Sequence, residues 1–389
     1  LGKVPARAIV ETANLMKTMQ SSIDLSAPLR QGLPLIHRAE YWQSFANMFK
    51  YAASEDAFNS TMQAIEERPN YLLGREAGLK LTDLKDIMSR EENFMSSIAE
   101  KIVPGVKISE RAYVGFLNKL RADTFDSILE NAKNLGKDPN EIAPDIARYV
   151  NTATGRGSLG RFEKIAPELN AALFSPRMIA SRLTMLNPKY YTSLDPMVRK
   201  EAIKSLLAVA GAGLAIDGLG HLAGGTTSIN PLEADFVKSR FGNTRADGWG
   251  GFQQYIVGAS RFLAQTSPLV GGQRYDLPYR WGESFAANKL SPIASLGYAL
   301  ATADARKNGE LYNRFGEKMT LGAEIEKRFI PMFIQDMKDL YDDNPNIFNG
   351  ANIEEIFGKG ALAAGASFGM GLNTYPEKQK NQPFRLRLQ

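Results

Sequence analysis

The stretch that most constrains this chain runs from Leu206 to Ile216, where every side chain is apolar or, at glycine, absent. Such a run belongs inside a helical bundle or in contact with lipid. Ala208, Ala210, Gly211, Ala212, Gly213 and Ala215 are small enough to let a second backbone come close. The start is well marked: Asp195 can accept from free helical amides, and Pro196 suits the first turn. Asp217 and His221 interrupt the run short of the roughly 20 residues a bilayer crossing needs. Length therefore favours a buried bundle helix. The competing expectation is a helix packed on neighbours in one state and meeting lipid in another. On either reading Leu206, Leu207, Val209, Gly211, Gly213, Leu214 and Ile216 form the candidate helix-packing or membrane segment.

The remainder reads as mainly α, an irregular multi-helix assembly with one small β-hairpin near 235–247. Asp235–Phe241 and Thr244–Asp247 flank Gly242-Asn243, residues that tolerate the positive φ of a tight turn. An aromatic helix is expected over 39–53, and Ser54 opens another over 55–68. Ser89 and Glu92 match a capping box for 90–102. Ser109 is expected to cap an amphipathic helix to about Leu135, with Phe116, Leu120 and Phe125 inward and Lys119, Arg121 and Asp123 outward. Asp138-Pro139 starts a helix to about Thr152, and Ser175-Pro176 starts one to about 186. Residues 187–194 read as a linker and 265–292 as a long loop with a short helix near 283–287. Thr320 is expected to cap a long helix to about Tyr341, bent at Pro331. A second Ala/Gly-rich run spans 361–372, and a basic tail follows Tyr375. Three regions result: 1–135, 136–264 and 265–389.

Composition narrows the chemistry. The absence of cysteine removes disulfides, thiolate nucleophiles and Cys-ligated zinc. His37 and His221, the two histidines, sit far apart in unlike contexts, which speaks against a histidine metal site or a serine–histidine triad. Adjacent acids such as Glu66-Glu67 point apart on a helix and make poor acid–base couples. No catalytic, cofactor-binding or metal-ligating residue is assigned, and no cofactor is expected. The net charge of +5 is spread along the chain. Thr154-Gly155-Arg156-Gly157-Ser158-Leu159-Gly160-Arg161 offers glycine amides with Arg156 and Arg161 as a phosphate cradle. It lacks the Gly-Lys-Ser/Thr ending of a P-loop and follows a helix, so an interhelical turn is the favoured reading. Arg240 and Arg245, beside Trp249, are a second candidate anion or DNA contact, weighed against simple hairpin packing.

Several stretches, in their order along the chain, carry a resemblance. They include Asp24-Leu25-Ser26-Ala27-Pro28-Leu29-Arg30-Gln31-Gly32, Glu67-Arg68-Pro69-Asn70-Tyr71, Ser109-Glu110-Arg111-Ala112-Tyr113 and the segment from Phe116 to Asp126. Asn151 to Gly157, Phe174 to Arg177, Asp235-Phe236 with Gly242 to Arg245, and Gly369 to Tyr375 complete them. Together they resemble the C-terminal region of very large tailed-bacteriophage proteins, the polyvalent and internal virion proteins packaged and delivered with the genome. The resemblance covers nearly the whole chain, with 265–292 outside it. It implies a structural virion protein of the ejection type in the capsid interior or portal/tail region, entering the host envelope or cytoplasm with or ahead of the DNA. Its implied partners are other virion proteins and copies of itself, with phage DNA and host membrane as further candidates. It also implies a longer polypeptide whose catalytic modules lie elsewhere, so no catalytic residue is carried over and no enzyme activity is expected of this segment. Two alternatives stay open: a DNA-protecting accessory of the antirestriction kind, co-injected with phage DNA, and a non-catalytic part of a larger phage enzyme.

Overall fold

A computed structural model describes residues 25–83, 105–266, 285–306, 309–312, 318–330, 332–343 and 353–374. The expected helix over 90–102, most of the loop after residue 266, Pro331 and the basic tail lie outside the described residues. The fold is mainly α with a small antiparallel sheet.

The first half is organised around one helix. α1 (Ala39–Ala53), α2 (Glu55–Glu66) and α3 (Tyr71–Glu76) precede α4 (Gly105–Asn134), and α5 (Pro139–Ala153) follows it. Ser54 caps α2 by accepting from the Ala57 amide at 3.2 Å, and Asp138 caps α5 by accepting from Asn140 at 2.8 Å. α4 begins at Gly105, ahead of the cap expected at Ser109. Phe116, Leu120, Leu129 and Ala132 of α4 are fully buried, against Tyr41 and Met48 of α1 and Ile146 and Val150 of α5. Burying a side chain the size of Phe116 contributes about 1.5–3 kcal/mol relative to leaving it exposed. Arg121 departs from expectation. It was placed on the outer face, yet it is 1% exposed, because it lies one helical turn from Leu117 and Phe125 on a helix with neighbours all round.

A wide helical turn, Pro28–Gly32, runs into a 3₁₀ turn, Leu33–Leu35, with Pro28 and Gly32 to Leu35 buried. α6 (Ala166–Ala172), α7 (Pro176–Leu186) and α8 (Pro188–Thr192) lead into α9 (Pro196–Leu222). The expected linker at 187–194 thus contains a helix, capped by Asn187 accepting from the Lys189 amide at 3.0 Å. Asp195 caps α9 by accepting from Met197 at 2.8 Å.

Beyond α9 come β1 (Thr226–Thr227), β2 (Ser239–Phe241) and β3 (Thr244–Asp247). The β2–β3 hairpin is as expected at Gly242-Asn243, with Gly242 at φ 53°. It is shorter on its first arm, since residues 235–238 form turns, with Lys238 donating its amide to Asp235 O and Val237 to Ser228 O. α10 (Gln253–Thr266) follows, then α11 (Pro292–Arg306) and a small pairing of β4 (Leu311–Tyr312) with β5 (Lys318–Met319). The long helix expected over 320–341 is two helices, α12 (Leu321–Glu326) and α13 (Met332–Asp343). Ile330, which precedes Pro331, takes extended angles (φ −83°, ψ 129°), as the proline ring demands of the residue before it.

The Ala/Gly-rich run at 361–372 is also divided. α14 (Ile353–Ser367) ends, Gly369 turns at φ 108°, and β6 (Gly371–Thr374) pairs with β3 through Ala246 opposite Leu372. A Cβ at Gly369 would sit 2.4 Å from the Ser26 carbonyl, so glycine is required for this close return. Phe368 packs its ring on Phe45 and Phe49 of α1, 5.3 and 6.0 Å away. The division at residue 135 therefore runs through one continuous cluster of buried side chains, from Ala27 to Ala202. The division at 264 runs across the sheet, whose order is β1-β2-β3-β6.

Candidate functional site

α9 has two apolar faces. Val198, Ala202, Ser205, Val209, Gly213, Ile216 and Gly220 recur at helical spacing along the inner one. Ser205 shares a 2.7 Å hydrogen bond with the Tyr149 hydroxyl, whose pKa burial raises. Val209 packs with Leu33, Met185 and Phe252. A Cβ at Gly213 would meet the Trp249 ring at 2.5 Å, and one at Gly220 would meet Ser239 Oγ at 2.3 Å. Here the small residues do admit a close neighbour. The outer face repeats Ile203, Leu207, Gly211, Leu214, Gly218 and Leu222. Leu207 is 65% exposed, Leu214 60%, Leu219 65% and Leu222 85%, and nothing lies within 4 Å of a Cβ built at Gly211 or Gly218.

The expected buried bundle helix is therefore half right. Of the candidate segment, Val209 and Gly213 are buried, Leu206 and Ile216 are half-buried, and Leu207, Gly211 and Leu214 are exposed. Asp217 does not break the run either. Its carboxylate turns to the sheet and accepts from Thr227 Oγ1 at 2.5 Å and Ser239 Oγ at 2.9 Å, so the helix passes through it with its charge hydrogen-bonded. The helix reaches 27 residues and is the one among the described residues that is long and apolar enough to cross a bilayer.

The glycine-rich loop is a built structure rather than a slack turn. Gly155 and Gly160 take positive φ of 75° and 57°. The Gly157 amide donates to Ser181 Oγ of α7 at 2.8 Å, where any side chain at 157 would collide. Arg156 reaches the segment 78–82, donating to the Lys80 carbonyl at 3.2 Å and to Thr82 Oγ1 at 2.5 Å. Two asparagines hold that segment: Asn151 bonds Gly78 O and the Lys80 amide, and Asn118 bonds both backbone groups of Thr82. Arg177 grips both oxygens of Glu163 at 2.9 and 2.7 Å, and the Leu159 amide adds a bond of 3.0 Å. Lys80 Nζ stands 3.8 Å from the same carboxylate. The Arg177 bonds hold the Glu163 carboxyl at a pKa of about 2. Burial, then the nearby Arg177 charge, pulls the Lys80 pKa down.

Behind this loop Arg121 donates to Thr154 Oγ1 at 2.8 Å and to the Thr154 carbonyl at 3.1 Å, and its third nitrogen, Nη1, has no hydrogen-bond partner. Burial, then the Arg156 charge, lowers its pKa well below the ordinary arginine value. Arg161 is exposed, with its guanidinium 5.1 Å from the Phe162 ring centre. Arg240 and Arg245 face each other across the hairpin. Arg245 is buried and paired with Asp235 at 2.7 Å, a packing role, while Arg240 is exposed. Among the described residues no group of three His, Asp or Glu side chains is placed to hold a metal ion.

Lys80, Arg121, Glu163 and Arg177 were not singled out in the sequence. Arg121 alone carried a local signal, a charge at a core phase of an amphipathic helix. The other three converge from separate stretches and left none. No family model matches the chain, and no curated protein or solved structure matches it.

Proposed function

We propose that this chain is a packing module of a tailed-phage internal virion protein, carried in the particle and delivered to the host with or ahead of the genome. One observation carries the reading: the outer face of α9 presents Leu207, Leu214 and Leu222 to solvent at helical spacing, with exposed Leu219 on its flank. Contiguous exposed apolar surface of this kind marks an interaction site. Gly211 and Gly218 leave a shallow groove between the leucines, suited to a helix of another copy or of a neighbouring virion protein. The phage setting comes from the resemblance of the segments named above. Mass spectrometry of full and DNA-emptied particles tests it: the protein should be present in the first and depleted in the second. Retention in emptied particles, or absence from both, would overturn the reading.

A lipid-contacting state of α9 is the second reading, and a specific observation favours it. Only 22% of the most apolar 18-residue window of this helix is buried. From Ile203 to Leu222 the outer face is about 29 Å long at a 1.5 Å rise per residue, close to the roughly 30 Å hydrocarbon core. Liposome flotation of the full chain separates the two. Flotation that vanishes in a Leu207→Asn/Leu214→Asn double variant would place α9 against lipid, and self-association without flotation would place it against protein.

A further inference from the structure

The geometry points to the loop 154–163 as a phosphate site plugged by its own Glu163, and we propose that a backbone phosphate of a nucleic-acid strand displaces that carboxylate. The inference goes beyond the packing role and does not depend on α9.

The first argument is charge. Glu163 pairs with Arg177 and stands near Lys80, while Arg156 and, through Thr154, Arg121 hold the same loop. Arg156 is tied down by the 78–82 segment and Arg121 by Thr154, so their charges are fixed in place before any ligand arrives. Arg121, buried with Nη1 unpartnered, has no carboxylate against it among the described residues. Concentrated fixed cations of this sort are offset by an anion.

The second argument is shape. Glu163 receives a two-pronged guanidinium grip, a backbone amide and a nearby ammonium, the donors that also suit phosphate oxygens. The site is open to solvent, since the side chains of Lys80, Arg177 and Glu163 are 34%, 30% and 39% exposed. A phosphodiester carries one negative charge, as the carboxylate does, so the exchange leaves the local balance unchanged.

The third argument selects a nucleic-acid strand over a free phosphate or a lipid headgroup. Phe162, next to Glu163, is 47% exposed and lies against the Arg161 guanidinium. An exposed ring with an arginine beside a phosphate cradle is a stacking platform for an unpaired base.

The test is fluorescence anisotropy of the full chain with a labelled oligothymidine at two salt concentrations. Binding should weaken with salt. Glu163→Gln, which removes the plug's charge, should tighten it roughly fivefold or more. Lys80→Gln should weaken binding and reduce the salt slope by about 0.7. Phe162→Ala should weaken it about fivefold or more, while Lys50→Gln, on exposed α1 surface away from the loop, should change nothing. Thermal melts check that each variant is folded. The proposal fails if folded Glu163→Gln binds no better than the parent, or if Lys80→Gln behaves like Lys50→Gln. It fails equally if inorganic phosphate or phosphatidylglycerol vesicles bind while the oligonucleotide does not. Should Glu163→Gln not fold, Lys80→Gln and Phe162→Ala, which leave the Arg177–Glu163 pair intact, decide the question.

Discussion

α4 and α9 are the two longest helices among the described residues, and they invert the usual expectation. α4 carries Asn118, Lys119, Arg121, Asp123 and Thr124 in its middle turns, yet most of those turns are buried. α9 has no polar side chain from Leu206 to Ile216, yet it leaves a leucine face in solvent. The difference is the number of neighbours. α4 is packed by α1, α2, α5 and the Pro28–Gly32 turn, so even its polar positions are enclosed. α9 leans on the Leu33–Leu35 turn, α5 and the sheet with one side and, among the described residues, has no such cover on the other. Burial follows what surrounds a helix more than how apolar it is. An apolar face left outside stays open to a protein or lipid contact, whereas a polar face drawn inside must be hydrogen-bonded, as Asn118 is to Thr82.

The contrast can be broken by mutation. The largest effect is expected at Phe116→Ala, where an emptied core site should cost about 3–5 kcal/mol in urea unfolding. Leu207→Ala on α9 should stay within about 0.5 kcal/mol, as for exposed positions generally. Equal losses at the two positions would erase the distinction. Next come the glycines. Gly115→Ala would drive a Cβ to 2.4 Å from the Tyr51 ring, and Gly213→Ala to 2.5 Å from Trp249. Each should lose about 1–3 kcal/mol through overpacking. Gly211→Ala, two residues from Gly213 but facing open space, should instead gain close to 1 kcal/mol from helix propensity alone. Opposite signs from neighbouring glycines, read as shifts in Tm, would establish that α9 has one occupied and one vacant side.

The smallest effect concerns the loop that covers Arg121. Glu163 has a folded pKa of about 2 against an ordinary value of 4.5. A depressed carboxylate stabilises the fold fully above its unfolded pKa and loses that contribution as pH falls through the folded one. Stability should therefore drop between pH 4.5 and 2 more in the parent than in Glu163→Gln, measured as Tm against pH. Because the side chain is 39% exposed, solvent screening keeps the difference modest.

Much of the fold was legible beforehand. Ser54, Asp138, Asp195 and Thr320 each cap the helix they were expected to start, and Gly242-Asn243 turns the expected hairpin. These are contacts within four residues of chain, so the residue types alone decide them. The inward turn of Asp217 and the return of Phe368 to α1 were not legible, and the burial of Arg121 was signalled only by its spacing of four residues from Leu117 and Phe125. Of the charged cluster at the glycine loop, Arg156 was named, but its companions Lys80, Glu163 and Arg177 arrive from different elements.

By itself, then, the sequence determined the starts of several helices, where the hairpin reverses and that α9 would carry a small-residue apolar run. Only the tertiary structure decided which side of α9 is covered, which charges of α4 are enclosed and which carboxylate fills the glycine loop. Caps and turns are settled by neighbours along the chain, whereas burial and charge pairing are settled by neighbours in space, and those are chosen only when the whole chain packs.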